Sequence, residues 1–443
     1  MKLKKLIGIL AVAGLAAPGI ASATNGYFSH GYGMKAKGMA GAATATASDA
    51  MGGANNPASM VFVGDRLDVG LDWFRPIRSA DRVGSTGGAN DYSQDSDSDN
   101  FFIPEFGYNK MMGSDMSLGI TVYGNGGMNT DYAGGTNTPA GCGSGASTAK
   151  SQNGLCGSGR LGVNLEQLII APTWAMKINP THSIGVAPLF GYQKFKAEGL
   201  DAFKSISSSP NDLTNNGNDT STGWGIRVGW QGAVSSTVTL GAAYSSEMKM
   251  SKFDKYKGLF AQQGEFDIPE NYSFGIALKA TPDVNVALDY ERINYGGVAS
   301  ISNSSQQPGC TGVNPAGPGV GSGCLGGDNG IGFGWKSIDI WKLGVEYKLN
   351  SQMTLRAGYN HGGNPIESSD VTFNVLAPGV VQDHYTLGMT YAATPASELT
   401  VAYMHAKENS VSGTTNPTYF NVGGTETIKM YEDSLGVTYG MKF

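Results

Sequence analysis

Five histidines (His30, His182, His361, His384 and His405) are scattered along the 443 residues without paired metal-ligand spacing, and no GxSxG nucleophile elbow is present. Acid–base, nucleophilic and metal-assisted catalysis find no constellation, so the chain reads as a non-enzyme with no cofactor and no metal. The four cysteines carry the remaining chemistry. Cys142 and Cys156 lie in one Gly-rich stretch, and Cys310 and Cys324 lie in another at the same spacing. Four cysteines allow three connectivities, which sequence does not settle. Local pairing is favoured because each bridge would close a short hairpin, worth up to about 3 kcal/mol on the loop-entropy account. No histidine flanks either pair, so structural disulfides are preferred to a metal site. The acidic run Asp91, Asp95, Asp97 and Asp99 has the chemistry to attract divalent cations or lipopolysaccharide, but a solvated loop explains it more simply.

The elements that hold these residues follow a regular plan. Tight turns are expected at Lys110–Asp115, Asn179–Thr181, Ser235–Ser236, Thr281–Asp283, Asn350–Gln352 and Thr394–Ser397, with the gap between the termini as a seventh short connection. Long, polar, Gly-rich connections alternate with them near 79–99, 125–160, 199–221, 251–266, 297–335, 362–381 and 407–426. That alternation around an even strand count is the plan of an outer-membrane barrel, with turns on the periplasmic side and loops outside. Period-two patterning supports it. Leu435, Val437, Tyr439, Met441 and Phe443 share one face of the last segment, and Gly436, Thr438, Gly440 and Lys442 share the other. Lipid solvates only the first set. The same grammar gives about fourteen strands, near 65–78, 100–111, 115–125, 161–178, 182–197, 222–234, 237–250, 267–280, 283–296, 336–349, 352–362, 382–393, 397–407 and 427–443. The expected class is all-β, a transmembrane antiparallel β-barrel over residues 64–443.

Residues 1–23 read as a secretory signal: Lys2, Lys4 and Lys5, an apolar run from Leu6 to Ile20, and the small residues Ala21, Ser22 and Ala23. Removing those three lysines takes the formal charge from −6 to −9. An acidic exported chain with no basic block is a poor nucleic-acid binder. A barrel of this size needs water or a plug in its lumen. Residues 24–63 do not follow the strand grammar; they are small, Met-containing and broken by the turn Asn56-Pro57-Ala58. They are expected to form a hatch inside the barrel.

The stretches NGYFSHGYGMKAKGMAGA, NNPASM and IPENYSFGIAL, together with the C-terminal strand, resemble the FadL/TodX family of outer-membrane transporters of long-chain fatty acids and aromatic hydrocarbons. The resemblance spans essentially the whole mature chain. It implies a fourteen-strand barrel with an N-terminal hatch, loop capture of a hydrophobic ligand, an apolar pocket above the hatch and lateral release through a kink in the third strand. The counterpart of the kink is Gly124-Asn125-Gly126-Gly127, where the third strand runs into its loop. A plain loop start is the competing reading. Tyr27 and Phe28 match the leading residues that enter the family's pocket. Leu168, Ile170, Trp174 and Met176 on the fourth strand are further pocket candidates, opposite Val163, Leu165, Ile169 and Ala171. The basic residues with which fatty-acid members hold a carboxylate do not map onto this chain; Lys194, Lys196 and Lys336 lie in plausible regions but read as surface lysines. Neutral hydrocarbons therefore stay open. The expected partners are a hydrophobic small molecule, outer-membrane lipid and lipopolysaccharide, and the barrel-assembly machinery through the terminal Phe443. The expected location is the bacterial outer membrane, as a monomer. A general porin for polar solutes and an adhesin or phage-receptor barrel are the competing functions.

Overall fold

The computed structural model describes residues 24–135, 142, 152–306, 309–310, 319, 321–416 and 422–443. The signal peptide expected over residues 1–23 lies outside them. Fourteen long strands follow one another: β1 Arg66–Val83, β2 Phe101–Met111, β3 Met116–Asn129, β4 Gly162–Asn179, β5 His182–Glu198, β6 Asp219–Ala233 and β7 Val238–Ser245, then β8 Asn271–Lys279, β9 Val284–Ile293, β10 Ile338–Lys348, β11 Met353–Gly362, β12 Asp383–Thr394, β13 Ser397–Thr414 and β14 Thr425–Lys442. Each pairs antiparallel with its neighbour, and β1 closes on β14 from Arg66↔Lys442 to Val83↔Thr425. Closure removes both sheet edges, which hydrocarbon would otherwise leave without hydrogen-bond partners. No described helix is long and apolar enough to cross a membrane.

Alternation sorts the side chains as a lipid-facing wall requires. On β14, Leu435, Val437, Tyr439 and Met441 are exposed, as is Phe443 just after it, whereas Gly436, Ser434 and Thr438 are buried toward the lumen. The short turns fall where expected. β1 and β13 run further than the pattern indicated, into stretches expected as loops, because both pair with β14 to its outer end at Thr425. The seventh strand is shorter than expected: β7 stops at Ser245, and Lys249–Met250 pairs with β6 instead. The two cysteine pairs are bonded locally, Cys142 to Cys156 and Cys310 to Cys324, with S–S distances of 2.00 and 2.01 Å.

Residues 24–63 carry almost no exposed surface and hold only two four-residue helices and the 3-10 helix Pro57–Phe62. They touch inward-facing positions on strands all round the barrel. Lys37 pairs with Asp72 on β1 and Glu105 on β2, Thr121 on β3 donates to Ala50 O, and Ser183 on β5 donates to Ala58 O. Asp289 on β9 accepts from the backbone N–H groups of Ala43 and Thr44, both at 2.8 Å. Thr386 on β12 donates to Gly38 O, and Lys35 pairs with Glu398 on β13. Asn56 is fully buried; its Oδ1 accepts from Ala58 N, and its Nδ2 donates to Thr44 O and Trp230 O. Its side chain therefore caps the 3-10 helix that Pro57 begins.

Inward glycines make this packing possible. A Cβ on Gly185 would lie 2.4 Å from Pro57 C, and one on Gly241 would lie 2.1 Å from Thr44 O. Both obstacles are backbone, which has no side-chain torsion through which to yield. Valine is ordinarily favoured in strands, so Gly185→Val isolates this contact. It should lower the folding stability of the barrel by roughly 1–3 kcal/mol, as overpacking does, read as a fall in the urea midpoint.

Candidate functional site

The barrel ladder opens between β2 and β3. β2 and β3 pair from Met111↔Ser117 only as far as Phe106↔Val122. Beyond that, β3 continues to Asn129 paired with β4 alone, and β2 continues over Phe101–Glu105 paired with β1 alone. The register of β3 on β4 slips between Gly124 and Gly126, leaving Asn125 as the bulged residue. Gly124, Asn125, Gly126 and Gly127 therefore lie inside the strand, not at the start of a loop. The bulge turns the outer half of β3 away from β2.

What covers the freed edge is the start of the described chain. Phe28 bridges to Gly126, Ser29 N donates to Asn125 O and Gly127 N donates to Tyr27 O, each hydrogen bond 3.2 Å long. The bulge itself is pinned from inside. Asn125 Nδ2 donates to Gln167 Oε1 at 2.9 Å, and Tyr32 Oη donates to Asn125 Oδ1 at 3.1 Å. The Tyr32 ring packs on Tyr123 at 4.4 Å, and Arg227 donates to the Tyr123 hydroxyl.

Above this contact lies an aromatic cluster. The Tyr27 ring lies 5.3 Å from Phe28, 5.2 Å from Tyr295, 6.0 Å from Trp335 and 6.2 Å from Phe266. Tyr295 Oη donates to Asn25 O at 2.6 Å and accepts from Tyr27 N at 3.1 Å, clamping the segment from the opposite side. Burial, and after it Tyr295, pushes the Tyr27 hydroxyl well above the ordinary phenol range, so it stays neutral. Phe266, Tyr295 and Trp335 sit in the long connections after β7 and β9. The sequence reading left Phe266 and Trp335 in loops and Tyr295 at the end of the strand expected over 283–296; large aromatics in or beside Gly-rich connections were the available signal.

Of the fourth-strand candidates, Leu168 is buried, but Ile170, Trp174 and Met176 are half-exposed and share the lipid-side alternation. The lumen is lined by the opposite set, including Val163, Leu165, Ile169 and Ala171. The pocket assignment of Ile170, Trp174 and Met176 is thus corrected. Both faces of β4 are apolar, so hydrophobicity alone does not tell lipid from lumen. Lys194, Lys196 and Lys336 are partly exposed and paired with Glu166, Glu198 and Glu367. In the acidic run, Asp97 pairs with Arg160, which also pairs with Asp131 outside the run, and Asp91 accepts from Gly84 N and Ser85 N. Among the described residues no group of three or more His, Cys, Asp or Glu side chains is placed to hold a metal.

Below the seam, between the segment and the wall, is a polar cavity of about 30 Å³ edged by Phe28, Tyr32, Arg227, Asp289, Glu291 and Lys342. Lys342 Nζ donates to His30 O at 3.0 Å and pairs with Glu291 at 2.6 Å.

A closed fourteen-strand antiparallel barrel with an apolar outer face and polar inward positions is the architecture of an outer-membrane β-barrel protein. The chain belongs to the family of outer membrane protein transport proteins (OMPP1/FadL/TodX), whose profile matches residues 14–443. Solved structures share the fold at low identity. The Pseudomonas putida toluene transporter TodX is 18% identical, over 94% of this chain and 99% of that one, at a TM-score of 0.64. A Pseudomonas aeruginosa FadL homologue is 14% identical over 94% and 100%, at 0.65. The Ralstonia pickettii toluene transporter TbuX is 15% identical over 94% and 99%, at 0.61. No curated protein matches the sequence at a significant level.

Asp49 offers a pH test of how the leading segment is seated. Burial, and then Asp68, pushes its carboxyl up to about 6, against the pull of Lys35 and Arg66. The unfolded carboxyl titrates near ~3.9, so between roughly pH 4 and 6 the folded state binds more protons. Stability therefore falls as pH rises through that window. Asp49→Asn should flatten this part of the profile, measured as the change in urea midpoint between about pH 4.5 and about pH 7.

Proposed function

We propose that this barrel carries hydrophobic small molecules passively across the outer membrane. Loops capture the molecule, the aromatic cluster around Tyr27 receives it, residues 24–63 act as a hatch, and release is sideways between β2 and β3. The observation that carries this reading is the seam. A ladder that ends at Phe106↔Val122, with the freed edge of β3 bridged by residues 27–29 instead of by β2, is a wall section that would open by moving that short stretch. Moving the hatch instead would break buried ion pairs, Lys37 with Asp72 and Glu105 at 2.7 and 2.8 Å and Lys35 with Glu398 at 2.5 Å. Separating one buried pair costs on the order of 3–5 kcal/mol. The polar cavity beneath the aromatic cluster adds a second deterrent, because an oily molecule loses solvation free energy on entering it and gains by entering lipid. No energy source is needed.

The toluene transporters among the structural neighbours favour hydrocarbon cargo. Gly126→Glu, a bulky charge in the seam, should abolish uptake of labelled toluene or hexadecane by cells while the purified barrel keeps its heat-modifiable mobility. Uptake at the unmodified rate would end the lateral reading. Deleting residues 24–58 should raise single-channel conductance in planar bilayers; silence there would mean the segment does not seal the lumen.

A further inference from the structure

Two glutamines stand alone on apolar surfaces beside the seam. On the inward face of β4, Gln167 is the single polar side chain between Val163 and Ala171. On the inward face of β5, Gln193 is the single polar side chain between Ala187 and Ala197. The two are direct cross-strand partners, and both are fully buried. A buried amide costs free energy unless its donors and acceptor are met.

These amides meet one another in a chain. Gln193 Nε2 donates to the backbone carbonyl of Phe266 at 2.9 Å, and Gln167 Nε2 donates to Gln193 Oε1 at 3.1 Å. Asn125 Nδ2 donates to Gln167 Oε1 at 2.9 Å, and Tyr32 Oη donates to Asn125 Oδ1 at 3.1 Å. The chain thus runs from the connection after β7, across β5 and β4, to the bulge of β3 and on to the leading segment. Its polarity is set at one end. A carbonyl oxygen only accepts, so Phe266 O makes Gln193 present its NH2, and the same orientation passes through Gln167 to Asn125. With that carbonyl withdrawn, the three amides are free to turn over together. Asn125 would then present its NH2 to Tyr32 Oη. The Tyr32 proton would pass to the other acceptor in reach, the Asn125 backbone carbonyl at 3.4 Å. That carbonyl is the one that accepts from Ser29 N where the leading segment covers the freed edge of β3. The two polarities are a two-state element of the kind that coupling between separate places requires.

Phe266 is placed to feel an arriving molecule, because its ring lies 6.2 Å from Tyr27 and 4.8 Å from Phe260. We propose that Gln193 and Gln167 are positioning residues that couple the aromatic cluster to the seam: a hydrophobic molecule entering beside Tyr27 shifts the Phe266 carbonyl, the amide chain reverses, and the contact of Ser29 with Asn125 loosens. The inference rests on the uptake reading above and adds that occupancy of the cluster releases the seam.

All four cysteines are in disulfides, so Ser29→Cys places a single free thiol at the cover of the seam. The test times its reaction with N-ethylmaleimide in the purified full-length barrel, with and without toluene, beside toluene uptake by cells carrying the wild-type barrel. Toluene should raise the labelling rate about fivefold, the scale of one neutral hydrogen bond. Methionine keeps the length of glutamine and removes its polar atoms. With Gln193→Met or Gln167→Met added, the rate should be the same with and without toluene. The two changes combined should act as either does alone, since links of one chain are not additive. Gln167→Met cuts the same chain at its middle if Gln193→Met does not fold. A toluene response kept in either folded variant would overturn the coupling and leave the glutamines structural. Wild-type uptake without any toluene-dependent labelling of the Ser29→Cys barrel would overturn it too. A wild-type barrel that imports no toluene overturns the uptake reading itself, so the two failures are distinguishable.

Discussion

A backbone amide or carbonyl facing hydrocarbon must find its partner within the protein, and the rest of this molecule follows from that requirement. It forces fourteen strands into a closed cylinder, sealed where β1 meets β14. It also makes any break in the ladder conspicuous. The break above Phe106↔Val122 is answered in part by residues 27–29, which exchange hydrogen bonds with the freed edge of β3. The bulge at Asn125 is thus a structural device with its own supports in Gln167, Tyr32 and Tyr123.

The lumen obeys the same accounting from the inside. Residues 24–63, with little regular structure, have many backbone groups to satisfy, and the wall answers them with inward Asp289, Ser183, Thr386 and Lys342. Glycines at Gly185 and Gly241 bring the backbones of the wall and of residues 24–63 into direct contact. The high glycine content, 66 residues, therefore has two uses. Part of it turns loops, and part of it lets residues 24–63 pack on the strands.

Much of this was legible in the sequence. Short turns alternating with long connections gave the strand number, and period-two patterning gave the lipid face of strands such as β14, because lipid and lumen impose opposite chemistry there. The pattern was silent where both sides are apolar. On β4 it could not tell Ile170, Trp174 and Met176, on the lipid side, from Ile169 and Ala171, which face inward. Strand ends were misjudged where polar residues continue in β structure above the lipid, as at the outer ends of β1 and β13. Tyr295, Trp335 and Phe266 were hidden for a different reason: they converge from two connections and from distant points of one of them, and no local periodicity encodes such a meeting.

The half of β3 that leaves the ladder is the half remote from the tight turns. Any molecule emerging there enters the leaflet on the side of the long loops, not the periplasmic one. Net flow would then be capped by how much that single leaflet can absorb. Crossing to the inner leaflet, a slow step for a charged head and a fast one for a bare ring, would set the pace downstream of the protein.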